Sequence, residues 1–279
     1  MKRTTAIRPE LREWILNTTR AGHSIDEVLR LLKETGYDPR ESRSIVATVL
    51  KIPLSALQPT AKLSGKRPRH PEAPRANAGD REIHVRVSTD APVVRVLDPL
   101  LDDDECDALI ELARPRLARA LTVDTAGKQQ VDHRRTSEGM FFRLGETPLI
   151  ERIEARLENL LGLPASHGEG LQVLHYGPGQ EYEPHFDWFD PAQPGFEAVT
   201  AHGGQRVASV VMYLNTPDAG GGTGFPAVGL TVTALKGSAV YFAYETGDEL
   251  SLHAGLPVLR GEKWIATKWL RERPFLRND

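Results

Sequence analysis

Apolar residues recur at helical spacing three times in the first fifty positions. Leu11, Trp14 and Ile15 form one stripe, and Ile25, Val28, Leu29 and Leu32 a second. Ile45, Val46, Val49 and Leu50 form a third. The ends of these stretches carry matching signals. Ser24 and Glu27 have capping-box spacing, in which the serine hydroxyl accepts from the backbone N–H three residues on. Gly36 is placed to end the second helix. Asp38 caps the third, with Pro39 at its first helical position and Pro53 as its stop. The pattern predicts a small all-α domain over 1–52. From 53 to 81 the periodicity vanishes. Five prolines and six Lys/Arg, with almost no large apolar residue after Leu63, predict a basic linker.

The pattern changes again at about 82. Ile83–Val87 and Val93–Leu97 alternate as strands do. Asp102–Asp104 can cap a helix that carries Cys106, Leu109, Ile110 and Ala113 on one side. Thr147-Pro148 opens another, with Ile150, Ile153, Leu157, Leu160 and Leu161 facing inward and Gly162 as its stop. Beyond Leu171 short apolar or alternating runs are separated by Gly/Pro/Asp clusters. The runs are Leu171–Tyr176, Val207–Leu214, Leu230–Ala234, Ser238–Tyr244 and Lys263–Leu270. Many short strands led by helices predict a mainly β domain with supporting helices over 82–279, a sandwich or barrel.

Composition narrows the class. The 279 residues are 40% hydrophobic and 26% charged, which excludes a disordered or collagen-like chain. No run approaches 18 apolar residues, so no membrane partner is expected. The N-terminal residues show no apolar signal region. The single cysteine, Cys106, excludes an internal disulfide framework and a cysteine-built zinc site, and it is expected to be a small buried core residue. Both features lead to the expectation of a cytoplasmic protein. The net charge of −3 hides an asymmetry. Residues 1–81 hold 16 Lys/Arg against 9 Asp/Glu, and the remainder 19 against 29. The basic run Lys66–His70 has no aromatic residues interleaved, so a solvated linker is expected there and no nucleic-acid partner. The helical unit reads either as a protein-binding module or as an accessory unit. Its Gly36-Tyr37 pair is similar to the loop of ubiquitin-associated-type bundles, which implies a protein partner for 1–52.

The chemistry concentrates in one tract, Leu171 to Phe189. His185 and Asp187 are two apart, a spacing that puts both on one face of an extended strand. An imidazole, a carboxylate and one further histidine make the facial metal-binding triad of non-haem Fe(II) oxygenases. His253, in Ser251-Leu-His-Ala-Gly, lies 68 residues downstream and is a candidate for that further histidine. Ten residues on, Lys263, Ile265, Thr267 and Trp269 share one face of a strand, and Trp264, Ala266, Lys268 and Leu270 the other. Both faces are too apolar to be exposed. One lysine is then expected to snorkel outward, while the other, Lys263, meets an anion inside.

These residues bring out a resemblance. Over about 90–275 the chain resembles the prolyl 4-hydroxylase family of Fe(II)/2-oxoglutarate dioxygenases. The match includes Tyr176-Gly-Pro-Gly-Gln-Glu-Tyr182, His185-Phe-Asp187, Arg206-Val-Ala-Ser-Val-Val-Met-Tyr-Leu-Asn215 and Gly220-Gly-Gly-Thr-Gly-Phe-Pro226. It continues through Lys236-Gly-Ser-Ala-Val240, His253 and Lys263-Trp264, with Arg135-Thr-Ser-Glu-Gly139 upstream. The glycine loop departs from the family pattern, where an acidic or other residue is frequent before the threonine.

The resemblance implies a double-stranded β-helix (jelly roll). It implies that His185, Asp187 and His253 bind Fe(II). Lys263, Tyr176, Thr223 and Trp269 would bind 2-oxoglutarate, with Tyr182 and Arg206 on the substrate side. The implied activity is hydroxylation of prolyl residues in a peptide or protein, with O₂ consumed, succinate and CO₂ released, and ascorbate sustaining the iron. Two alternatives stand beside it: the same chemistry on a free amino acid or another side chain, and a catalytically silent jelly-roll binding protein.

Overall fold

The structure is a computed structural model that describes residues 7–21, 23–52, 65–119, 121–123, 129–131 and 136–275. The chain divides into two compact units, 1–61 and 62–279.

The first unit is the expected set of helices: α1 (Pro9–Arg20), α2 (Ile25–Glu34) and α3 (Pro39–Leu50). Ile15, Val28, Leu32, Val46, Ala47 and Val49 form its core. The caps act as the sequence suggests. Ser24 accepts from the Glu27 N–H, and Asp38 accepts from the Glu41 N–H at 3.0 Å. Trp14 differs from expectation: it is exposed while its neighbour Ile15 is fully buried. Successive helical residues point about 100° apart, so only one of the pair can lie at the centre of the buried stripe. Pro53, read as the stop of α3, lies outside the described residues.

The expected linker takes a different form where it is described. Residues 65–81 belong to the second unit and lie against it. The Lys66 N–H donates to the Glu272 carbonyl at 2.9 Å. Arg67 pairs with Glu245, and His70 Nδ1 sits 2.7 Å from the Tyr241 hydroxyl. Arg75–Asn77 becomes a strand, β1. A basic, proline-rich segment looks like a solvated tether until acceptors on the neighbouring sheet are in view, and only tertiary structure supplies them. The first half of the proposed linker, 53–64, lies outside the described residues.

In the second unit β2 (Glu82–Asp90) and β3 (Val93–Asp98) are followed by α4 (Asp103–Ala113), β4 (Ala118–Arg119), β5 (Leu121–Val123), β6 (Gln129–Val131) and β7 (Glu138–Phe142). Next come α5 (Pro148–Leu161), β8 (Leu171–Tyr176), β9 (Tyr182–His185), α6 (Phe196–Thr200) and β10 (Arg206–Tyr213). The chain continues through β11 (Ala219–Gly220), β12 (Thr223–Phe225), β13 (Leu230–Val232), β14 (Ala239–Ala243), β15 (His253–Gly255), β16 (Val258–Arg260) and β17 (Lys263–Arg271). The two long helices are capped as anticipated. Asp102 and Glu105 complete a reciprocal capping box, and Gly162 ends α5 in the left-handed region.

A nine-stranded sheet runs β1-β2-β3-β14-β10-β17-β8-β7-β4, and a four-stranded sheet runs β13-β12-β15-β9. Their pairings are antiparallel, and the architecture is the jelly roll. One face of the large sheet packs on α4 and α5 through Leu109, Ile153, Leu157, Met212, Trp264 and Ala266. The other face meets the small sheet through Leu174, Tyr213, Phe225, Phe242 and Ile265. All nine residues of β17 are buried, because this central strand is covered on both faces. Cys106 lies in the helix-side core, where burial pushes its thiol up to about 12. That fits the purely structural role expected of it.

The outward snorkel expected of one lysine is a correction. Lys268 is buried, with its ammonium 2.5 Å from Glu154 on α5. A Cβ at Gly168 would strike the Lys268 chain, so the absence of a side chain there makes room for it. Sequence spacing placed Lys268 on the strand face opposite Lys263, and in the structure that face meets the helices. The partner carboxylate, 114 residues away, decides that it stays inside.

Candidate active site

The metal-binding candidates converge at one end of the small sheet. In the β9–β15 pairing His253 stands directly opposite His185, so the register brings 68 residues of separation down to one cross-strand pair. Asp187 follows two residues after His185. One ligand atom from each of His185, Asp187 and His253 lies within 4.8 Å of the others, and no other such group occurs among the described residues. Asp187 Oδ1 is 3.8 Å from His185 Nε2, and Oδ2 is 3.6 Å from His253 Nε2.

Backbone contacts orient both rings. His185 Nδ1 meets the Glu183 carbonyl at 2.8 Å, and His253 Nδ1 meets the Ser251 carbonyl at 3.0 Å. A carbonyl only accepts, so each Nδ1 carries the proton and each Nε2 keeps its lone pair for a metal. Burial alone would raise the Asp187 carboxyl. His253, His185, Arg206 and the Ser209 hydrogen bond outweigh it and hold the group at about 2, so the carboxylate is ionised. Two imidazole nitrogens and one carboxylate oxygen on a single face fit Fe(II).

The cosubstrate candidates come from β8, β12 and β17. Lys263 is Tyr176's cross-strand partner in the β17–β8 ladder, and its ammonium lies 5.2 Å from the Tyr176 ring centre. Lys263 is buried, and among the described residues it forms no ion pair. Burial alone pushes its pKa down to about 8. The ammonium reaches to Gly255, where an added Cβ would sit 3.8 Å from Nζ. Gly255 pairs with Thr223 across β12–β15 and lies two residues after His253, which links the lysine to the metal cluster. Gly221, at φ +71°, passes the lysine stem so closely that a Cβ would meet Lys263 Cδ at 3.2 Å. Thr223 accepts a hydrogen bond from the buried Tyr213 hydroxyl at 2.7 Å. Trp269 shares the Lys263 face of β17 and is buried, and its indole N–H has no hydrogen-bond partner among the described residues.

The two residues expected on the substrate side occupy different settings. The Tyr182 ring stacks on His185 with centres 3.6 Å apart. Arg206 is committed to Glu169 through two hydrogen bonds, at 2.6 and 2.9 Å. Its guanidinium lies 4.2 Å from the Trp269 ring centre and 3.5 Å from the Asp187 backbone carbonyl. Burial opposes the Arg206 charge, but Glu169 restores it and raises the pKa above the usual arginine value.

Sequence reasoning assigned no role to Ser209, Tyr244, Tyr213 or Glu169. Ser209 donates to Asp187 Oδ2 at 2.5 Å, and its oxygen lies 2.9 Å from the Tyr244 hydroxyl. A signal existed: Ser209 and Tyr213 interrupt an otherwise apolar central strand, and buried hydroxyls require partners. Glu169 lies in a loop outside any periodic pattern and gave none.

Comparison with known proteins gives the same class. A model of the 2OG-Fe(II) oxygenase superfamily matches residues 171–271. Probable prolyl 4-hydroxylase 3 of Arabidopsis thaliana is 40% identical over 203 residues, covering 64% of this chain and 69% of the relative. Prolyl 4-hydroxylase 5 of the same plant is 38% identical, covering 71% and 74%. Among solved structures, the viral collagen prolyl hydroxylase of Paramecium bursaria Chlorella virus-1, in its 2OG complex, is 31% identical with a TM-score of 0.51. That likeness covers 64% of this chain and 95% of the viral one. The site is that of an Fe(II)/2-oxoglutarate-dependent dioxygenase, and the chain belongs to the prolyl 4-hydroxylase family.

Proposed function

We propose that this enzyme hydroxylates prolyl residues of a peptide or protein. One oxygen atom of O₂ enters the product and the other enters succinate as 2-oxoglutarate loses CO₂. The observation that carries this reading is a buried lysine that forms no ion pair among the described residues and whose ammonium reaches Gly255, two residues after His253 of the two-histidine, one-aspartate cluster. His185, Asp187 and His253 would hold Fe(II), which supplies the O₂-activating chemistry when bound. Lys263 meets the distal carboxylate of 2-oxoglutarate as a compact charge with three donors. Tyr176 donates to the same carboxylate. Thr223 already accepts from Tyr213, so its own proton is available to that ligand. Trp269 walls the pocket and offers its indole N–H. Tyr182, stacked on His185, borders the substrate, and Arg206 acts from behind by bracing the Asp187 backbone.

The names of the relatives support a prolyl acceptor. Ascorbate as a reductant for the iron, a protein partner for 1–52 and a cytoplasmic setting complete the proposal; the single cysteine supports the last. The test is succinate formation from 2-oxoglutarate with Fe(II), with and without proline-containing peptides. We expect peptide-stimulated turnover, a product heavier by one oxygen atom, and loss of both in His185→Ala. Stimulation by free proline but by no peptide would replace the acceptor assignment with the free amino acid.

A further inference from the structure

Asp187 is held by more than its place in the chain. Its Oδ2 accepts from the Ser209 hydroxyl at 2.5 Å, and Ser209 lies 2.9 Å from the Tyr244 hydroxyl. All three side chains are buried. The direction of the chain follows from donor counting. An ionised carboxylate only accepts, so the single Ser209 proton points to Asp187. The remaining contact must then be donated by Tyr244 to the Ser209 oxygen. Burial raises the Tyr244 pKa well above its ordinary value, so the phenol keeps that proton. Neither hydroxyl can turn to water, and charge-assisted bonds in such a setting are stronger than neutral ones.

Both hydroxyls are carried on, or directly beside, strands of the large sheet. Ser209 lies on β10, opposite Phe242 of β14, and Tyr244 follows just after β14. Asp187, by contrast, lies beyond the end of β9 in an irregular segment. The rigid sheet therefore reaches across to the one ligand that has no strand of its own. His185 and His253 are already oriented by backbone carbonyls. Asp187 is the ligand whose orientation depends on side chains.

We infer that Ser209 and Tyr244 are positioning residues that tie down Asp187 Oδ2, so that Oδ1 is the oxygen offered to the metal. A carboxylate held this way presents one donor rather than two and keeps coordination positions open for the cosubstrate. Tyr244 acts only through Ser209, because it touches Ser209 and not the carboxylate. The inference rests on the metal assignment proposed above.

The experiment is a double-mutant cycle on the full chain, read by anaerobic titration with Co(II) as the metal probe and by the ligand-field spectrum of the complex. Ser209→Ala should weaken metal affinity by about 10–100-fold and alter the spectrum. Tyr244→Phe, which keeps the buried ring, should have a smaller effect in the same direction. Ser209→Thr, which keeps the hydroxyl, should retain affinity. Adding Tyr244→Phe to Ser209→Ala should change the metal binding no further, since the relay is already cut. Thermal unfolding of the metal-free variants separates this role from a structural one. Lowered stability with wild-type affinity and spectrum in Tyr244→Phe and Ser209→Ala would overturn the inference, as would additive effects. Should Ser209→Ala not fold, Tyr244→Phe against the unchanged chain decides alone. A wild-type chain that bound no Co(II) would overturn the metal assignment itself, and this inference with it.

Discussion

Two lysines five residues apart on the same strand are both buried and yet are opposites. Lys268 faces the helices and has a built-in carboxylate, Glu154, whose second oxygen is taken by the Gly145 N–H at 3.0 Å. Lys263 faces the small sheet and has none among the described residues. Burying an ammonium is costly, and pairing offsets that cost. At Lys268 the fold meets it internally, and the result is structure. At Lys263 it is left standing among the described residues, which supports the proposal that the lysine takes an anionic ligand. A buried charge with a satisfied partner belongs to the scaffold; one without is waiting for a ligand.

The sharpest way to break the contrast is to remove each charge in turn. Lys263→Met should weaken 2-oxoglutarate binding by about 10²–10⁴-fold, since losing one partner of a buried pair costs about 3–5 kcal/mol. The same change should stabilise the ligand-free chain, because an unpaired buried charge is gone. Calorimetric titration and urea unfolding read the two halves, and a destabilised Lys263→Met would mean that the lysine has a protein partner after all.

Lys268→Met should do the reverse. It strands Glu154 and should lower stability by about 3–5 kcal/mol, leaving 2-oxoglutarate affinity of the folded fraction unchanged. Adding Glu154→Leu should recover most of the loss. Failure of the double variant to recover would show that the pair does more than satisfy itself.

The pH dependence follows from the same asymmetry. Lys263 has a folded pKa of about 8, below its unfolded value, so the unfolded chain binds more protons between the two. Stability of the ligand-free chain should therefore rise with pH across that window, and Lys263→Met should flatten the rise. Ligand affinity should move the other way. The dissociation constant for 2-oxoglutarate should climb above pH about 8, toward about tenfold per pH unit, as the ammonium loses its proton. A flat profile through pH 10 would remove Lys263 from the carboxylate. The smallest effect belongs to Tyr176→Phe. Loss of one hydrogen bond, roughly 0.5–1.5 kcal/mol, should weaken 2-oxoglutarate binding a few-fold without touching metal affinity.

Legibility differed between the two sheets. The long strands β8, β10, β14 and β17 were apparent from alternation within a residue or two. In the small sheet that carries both histidines only β13 was apparent, within the run Leu230–Ala234; β9, β12 and β15, three or four residues long, were not. A period of two cannot establish itself in so few positions. There the residues themselves, not the pattern, marked the site: His185, Asp187 and His253 stand out by chemistry. Arg206 shows the limit of that route. The resemblance implied a position on the substrate side for it, but nothing in the sequence announced the buried pair it makes with Glu169, which comes from a loop with no pattern of its own.

The order of residues along the chain settled the two-part organisation, the helix caps, the two faces of β17 and the donor set, because these depend on local spacing and residue chemistry. Which lysine kept its charge unmet, which oxygen of Asp187 was taken, and whether the basic proline-rich segment hung free or docked were settled only on folding. Each depends on a partner brought from far along the chain. Glu154 lies 114 residues from Lys268, and Glu245 lies 178 from Arg67. Ser209 lies 22 from Asp187. Spacing within a strand or helix is written in the sequence; contact across a sheet exists only once the sheet has closed.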